Sequence, residues 1–197
     1  MPSGYQLHTL WTRLQNRGLT RLIRGGFASF GSGSTIAHPV RLGGVERVRI
    51  GANVFIGPAS WLQVVDEGNE LPDTVIEIGD DVRMSGMCVI SGTQSVRIEQ
   101  GALLARNVYI ADHGHAFHDP DEAIHRQGLA SIEPVRIGPR SWLGQNVVVL
   151  PGTDIGAGSI IGANSVVRGV IPPRSVAVGA PAKVVRSLDD DPEGGHD

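Results

Sequence analysis

Cut at every sixth position, residues 137–167 read IGPRSW, LGQNVV, VLPGTD, IGAGSI, IGANSV, V. The first column holds Ile137, Leu143, Val149, Ile155, Ile161 and Val167, and four of these six are followed by Gly138, Gly144, Gly156 and Gly162. Two positions before each next aliphatic stand Ser141, Val147, Thr153, Ser159 and Ser165. Residues two apart in an extended chain share a face. The small residue and the aliphatic after it therefore both point inward, and the residue between them points out. A short period punctuated by glycine is the signature of a β-helix of hexapeptide repeats. Glycines at its corners supply unusual dihedrals or close approach. Three edges make one coil, and successive coils pair as parallel strands about 4.8 Å apart. The expected fold class is therefore all-β, a parallel β-helix. So narrow a tube has little room for rings, in keeping with an aromatic content of 5%.

The register reaches back through the chain with breaks. Ile50, Ile56 and Leu62 share one phase, Ile78, Met84 and Ile90 a second, and Ile98, Leu104 and Ile110 a third; Phe30, Ile36 and Leu42 fit a first coil. Extra residues separate these triplets at 46–49, 65–75, 92–97 and, at greatest length, 116–136. A solenoid sheds insertions as loops at its corners, and loops on a rigid scaffold carry function.

The chain has 197 residues, which predicts one domain. A net charge of −3 gives no general basic field for nucleic acid. One cysteine, Cys88, excludes an internal disulfide and fits a reducing compartment. No apolar run approaches a membrane span and no signal peptide is visible, so the expected location is cytoplasmic. Residues 1–29 read as a helical cap: Leu7, Leu10, Trp11, Leu14 and Leu22 recur near helical spacing, with Arg13, Arg17, Arg21 and Arg24 between them. A cap shields the open end of the tube; the same pattern also fits a basic amphipathic helix resting on an anionic membrane face. Residues 30–186 form the β-helix, with a loop over 116–134. Residues 187–197 read as a disordered acidic tail.

Two stretches carry a family likeness: Asn107-Val-Tyr-Ile-Ala-Asp-His-Gly-His115, and 134–186, which ends in Ile171-Pro-Pro-Arg-Ser-Val-Ala-Val-Gly-Ala-Pro-Ala-Lys-Val-Val-Arg186. They resemble the hexapeptide-repeat acyltransferases, and among them the sugar O-acetyltransferases. Galactoside and maltose acetyltransferases are relatives. The Asp-His-x-His pattern is closer to acetyltransferases of capsule, O-antigen and exopolysaccharide synthesis. The resemblance implies left-handed coils, acetyl-CoA as donor, homotrimers, and active sites between subunits.

The histidines cluster at the longest interruption: His113, His115, His118 and His125. Counted from Ile110, Gly114 takes an inward slot and His115 points outward, as does Trp142. Attack of a sugar hydroxyl on a thioester needs a base, and a neutral imidazole can take the proton and return it to the departing thiolate. In the galactoside enzymes the base is the His after a Gly, which here is His115. His113 has no counterpart there and is either the base itself or its orienter, and Asp112 can fix one imidazole in its tautomer. Cys88 falls in an inward slot and is expected to be a buried hydrophobe rather than a nucleophile, so transfer is expected to be direct. By resemblance, Trp142, Gly144, Ala163, Arg168, Lys183 and Arg186 match positions near coenzyme A, whose phosphates call for cations. Arg83, Ser85, His118 and Asp119 are candidates for the acceptor side. Trp61, also outward, can stack on a sugar or enter a subunit contact.

Two rivals have different signatures. γ-Class carbonic anhydrases share the tube and bind zinc through three histidines. His113 and His118 have a suggestive spacing, but no His lies between His38 and His113 to supply the third ligand. No metal is therefore expected. A scaffold without catalysis has no use for clustered histidines or a basic final coil. N-acetylation of an amino sugar needs the same base and the same thioester, and stays open beside O-acetylation.

Overall fold

The computed structural model describes residues 3–68 and 70–190. They form a three-sided parallel β-helix, preceded by one helix, α1 (Gly4–Ile23). The first face has seven strands, from Ser29–Phe30 to Val170–Ile171; the third has six, from Val40–Gly43 to Val166–Val167. The second has eight, because the parallel strands from Thr35–Ile36 to Ser175–Gly179 are closed by an antiparallel one, Ala182–Ser187. The inward residues stack in register. Ile50, Ile78, Ile98, Ile137, Ile155 and Ile171 form one ladder. Ile56, Met84, Leu104, Leu143 and Ile161 form the second, and Leu62, Ile90, Ile110, Val149 and Val167 the third. All are buried. Phe30, Ile36 and Leu42 begin these ladders, so the first coil starts where the six-residue register places it.

The small inward slots hold hydroxyls that satisfy corner carbonyls. Ser141 Oγ donates to the Gly156 carbonyl at 2.9 Å and Ser159 Oγ to that of Pro172 at 2.8 Å. Among the described residues no buried side-chain N or O lacks a partner. The repeat glycines serve approach rather than dihedral. Gly144 and Gly156 do not have positive φ, but a Cβ there would lie 2.7 Å from the Ala163 nitrogen and 2.3 Å from that of Pro173. The left-handed residues come two positions later, as at Asn146 and Asn164, with φ of 61° and 60°.

Burial of the ladders is the main favourable term in such a tube. Leu104 is fully buried between Met84 and Leu143. Leu104→Ala is expected to cost about 2–5 kcal/mol of unfolding free energy, measured as a lowered urea midpoint.

Two expectations about the ends are corrected. The helix does cap the first coil, but through Asn16, Thr20 and Ile23 rather than through its leucine stripe. Thr20 Oγ1 accepts from the Ile36 amide at 3.0 Å, and Asn16 Oδ1 accepts from that of His38 at 3.1 Å. A strand edge presents backbone N–H groups, so acceptors satisfy it better than leucines do. Leu7, Leu10, Trp11, Leu14 and Leu22 instead point to solvent. At the other end, Ser187 completes the closing strand rather than starting a disordered tail. The Leu188 amide donates to the Arg174 carbonyl at 2.7 Å, and Asp189 pairs with the Arg174 guanidinium. The rest of the expected tail, 191–197, lies outside the described residues.

Candidate active site

All four insertions leave the tube at one corner. Each follows a third-face strand: Val40–Gly43, Ser60–Val64, Val89–Gly92 and Tyr109–Ala111. The chain re-enters the first face at Val48, Ile76, Val96 and Val135. Four successive coils thus pile their loops on the edge between faces three and one. The later coils turn tightly there, at Leu150–Thr153 and at Arg168–Gly169.

The longest insertion has a clamped root. The Glu133 amide donates to the Asp112 carbonyl at 2.8 Å, closing the loop where it leaves the tube. Gly114–His115 then pairs antiparallel with Leu129–Ala130, and the Ala116 amide donates to the Gly128 carbonyl at 3.0 Å. The count from Ile110 therefore fails beyond Asp112, and Gly114 is not an inward residue of the coil. The third-face ladder stops at Ala111, and Gly114 belongs to a stem that has left it. His115 rides on this stem and is exposed. Its ring makes no hydrogen bond or ion pair among the described residues.

His113 is held differently. Its Nδ1 lies 2.8 Å from Asp112 Oδ1 and its Nε2 3.4 Å from Ser91 Oγ, and its side chain is only 9% exposed. The Asp112 side chain is fully buried and accepts the amides of Thr93, Gln94 and Ser95 at 2.7–3.1 Å. Burial pushes this carboxyl up, but the bonds from His113 and from the Gln94, Thr93 and Ser95 amides reverse that and hold it below its ordinary value. An ionised Asp112 fixes the His113 proton on Nδ1 and leaves Nε2 to accept from the Ser91 hydroxyl. Ser91 and the 93–95 loop escaped the sequence reading. The signal lay in the register: the insertions after Ile90 and Ile110 both follow the third face of consecutive coils.

The other candidates fall into four groups. Arg168 lies on the histidine corner, 3.9 Å from Glu133. Trp142 is 47% exposed on the second face. Arg83 shares that face, and Ser85, Gly144 and Ala163 sit at or beside its corner with the third. Lys183 and Arg186 lie on the exposed closing strand. His118 and Asp119 are exposed in the loop, where the Asp119 carboxylate accepts the Asp121 amide at 2.9 Å. The chain therefore does not bring its Trp142 group to its histidines, since the whole third face separates them. Cys88 is buried, and that burial pushes its thiol pKa up. One face of Trp61 is taken by Arg41, 4.1 Å from the ring centre. Among the described residues no group of three His, Cys, Asp or Glu side chains is placed to hold a metal.

Residues 134–169 match the family model described as bacterial transferase hexapeptide (six repeats). The chain is 38% identical over 166 residues to a "Probable acetyltransferase" of Mycobacterium tuberculosis, covering 84% of this chain and 52% of that one. It is 39% identical over 121 residues to WbbJ of Escherichia coli, covering 58% and 62%; that protein's name refers to O-acetyl transfer in lipopolysaccharide biosynthesis. The chain thus spans only about half to three-fifths of the length of these relatives. Among solved structures, a galactoside acetyltransferase in complex with coenzyme A is 30% identical, with a TM-score of 0.58, over 86% of this chain and 70% of that one. AntD, an N-acyltransferase from Bacillus cereus, superposes with a TM-score of 0.71 at 19% identity, over 86% and 88%; this likeness concerns the fold alone. The chain belongs to the hexapeptide-repeat acyltransferase family, and its tube is that family's left-handed β-helix.

Proposed function

We propose that this protein transfers an acetyl group from acetyl-CoA to a hydroxyl of a saccharide or glycan precursor, with His115 as the base. The observation that carries this is the state of the two rings. His113 is covered and engaged at both nitrogens, whereas His115 is exposed, unengaged and carried on a clamped stem. A base must reach its proton first and have a suitable pKa second. His115 takes the acceptor proton as the oxygen attacks the thioester carbonyl, and returns it to the departing sulfur. His113 and Asp112 hold the root of the stem.

The donor has a fitting surface on a different part of the tube. Trp142 is exposed on the second face and Ala163 at its corner beside the buried Gly144, and Lys183 and Arg186 on the closing strand offer cations for phosphates. Because the third face lies between this surface and the histidines, the reaction needs the corner of one protomer against the second face of another. This is the reason to propose a homotrimer with shared sites. The galactoside enzyme and WbbJ favour oxygen as the acceptor atom. Arg83 and Ser85 are proposed to meet the acceptor from the second face, with His118 and Asp119 meeting it from the loop.

The test is incubation of the full chain with acetyl-labelled acetyl-CoA and a panel of glycans. Label is expected in base-labile O-acetyl esters, with release of free coenzyme A. Label in base-stable amides would move the reaction to nitrogen. Absence of both transfer and acetyl-CoA binding would remove the enzymatic reading.

A further inference from the structure

The helix α1 has two unlike faces, and the apolar one is unused by the tube. Asn16, Thr20 and Ile23 face the first coil. Leu7, Leu10, Trp11 and Leu14, spaced i, i+3, i+4 and i+7, form a stripe on roughly the opposite side, each between 53% and 61% exposed. Arg13, Arg17 and Arg21 run down one flank at every fourth position, and Arg24 follows. None of these four arginines takes part in an ion pair among the described residues. Arg17, Arg21 and Arg24 border an open cleft of about 650 Å³ against the Gly31–Thr35 turn of the first coil. Residues 4–24 contain no Asp or Glu, so this segment carries +4 while the whole chain carries −3.

We infer that this face docks the protein on an anionic phospholipid bilayer, with the leucines and Trp11 at the level of the acyl boundary and the arginines on lipid phosphates. The charge pattern selects this occupant. A second copy of the same helix would set one arginine row beside another with no carboxylate on either to neutralise it. A bilayer of anionic headgroups supplies both the apolar layer and the countercharge. Trp is suited to that depth, with an apolar body and one N–H donor. No described helix is long and apolar enough to cross a membrane, so the contact is peripheral. The inference does not depend on the reaction proposed above.

The test is co-sedimentation of the full chain with vesicles of phosphatidylcholine alone or mixed with phosphatidylglycerol. Binding is expected to the mixed vesicles only, and to weaken in about 0.5 M salt. The double variant Leu10→Ser/Trp11→Ser is expected to lose binding at least roughly tenfold, with its urea midpoint and its transfer to a soluble acceptor unchanged. Arg13→Gln/Arg17→Gln is expected to lose binding by about the same factor. Failure to bind mixed vesicles overturns the inference. So does binding that is indifferent to Leu10 and Trp11, which would be plain electrostatic adsorption. A change in oligomer mass in Leu10→Ser/Trp11→Ser without a change in lipid binding also overturns it, by giving the stripe to a second copy.

Discussion

His115→Ala is expected to lower kcat for acetyl transfer by about 10²–10⁴-fold, the usual worth of a positioned acid–base group. That range corresponds to about 3–5 kcal/mol of lost transition-state stabilisation. The urea midpoint and the affinity for acetyl-CoA should hold. The ring is exposed and makes no hydrogen bond among the described residues, so its loss strands no buried partner. Stopped assays at saturating donor separate kcat from KM, and added imidazole should restore part of the rate by filling the vacated space. His113→Ala should behave differently. It removes one bond to the buried Asp112 and one to Ser91, so it should loosen the stem, lower stability and lower kcat less steeply. If His113→Ala proves the one that loses activity at unchanged stability, and imidazole rescues it, the base is His113 oriented by Asp112. Near-full activity in both variants would leave the corner without a catalytic role.

The tube is legible in the sequence because its code is local. Every inward residue of Ile137–Val167 is fixed by a neighbour two or six positions away, and the ladders fall on the register read from spacing. The place of the insertions is nearly legible too. Counting faces from Leu42, Leu62, Ile90 and Ile110 puts all four breaks at one corner. What spacing does not carry is how a loop folds once it has left. The Asp112 carboxylate is satisfied by amides 17–19 residues away, and no periodicity links them. The packing of the helix escapes the sequence for a related reason. Amphipathicity marks an apolar stripe but not what lies against it, and here a strand edge calls for the acceptors of Asn16 and Thr20. The repeat glycines illustrate the same limit: the sequence shows where Gly144 recurs, but only the neighbouring coil at Ala163 shows why a Cβ is barred.

The second large effect is expected at Asp112, and its size depends on pH. Asp112→Ala removes the acceptor of three backbone amides and of the His113 ring, all inside a closed corner. Buried donors left without partners cost about 1–3 kcal/mol each before any relaxation. Three amides and the His113 N–H lose their acceptor together, so a loss of about 3–5 kcal/mol is expected at neutral pH. The acid dependence follows from the carboxyl being held below its ordinary 3.8 in the folded chain, where burial pushes it up but the His113 and amide bonds outweigh that push. Between the folded and unfolded values the unfolded chain binds more proton, so stability rises with pH there. The contribution is therefore fully present above the unfolded value and is lost as pH falls through the folded one. Urea unfolding at pH ~7 and at stepwise lower pH should show the gap between the parent and Asp112→Ala narrowing below pH ~4. A gap that stays constant on acidification would mean that the ionised carboxylate is not what holds the corner. Because the stem that carries His115 begins at this residue, the variant should also lose kcat at neutral pH under conditions where it remains folded, with donor affinity retained.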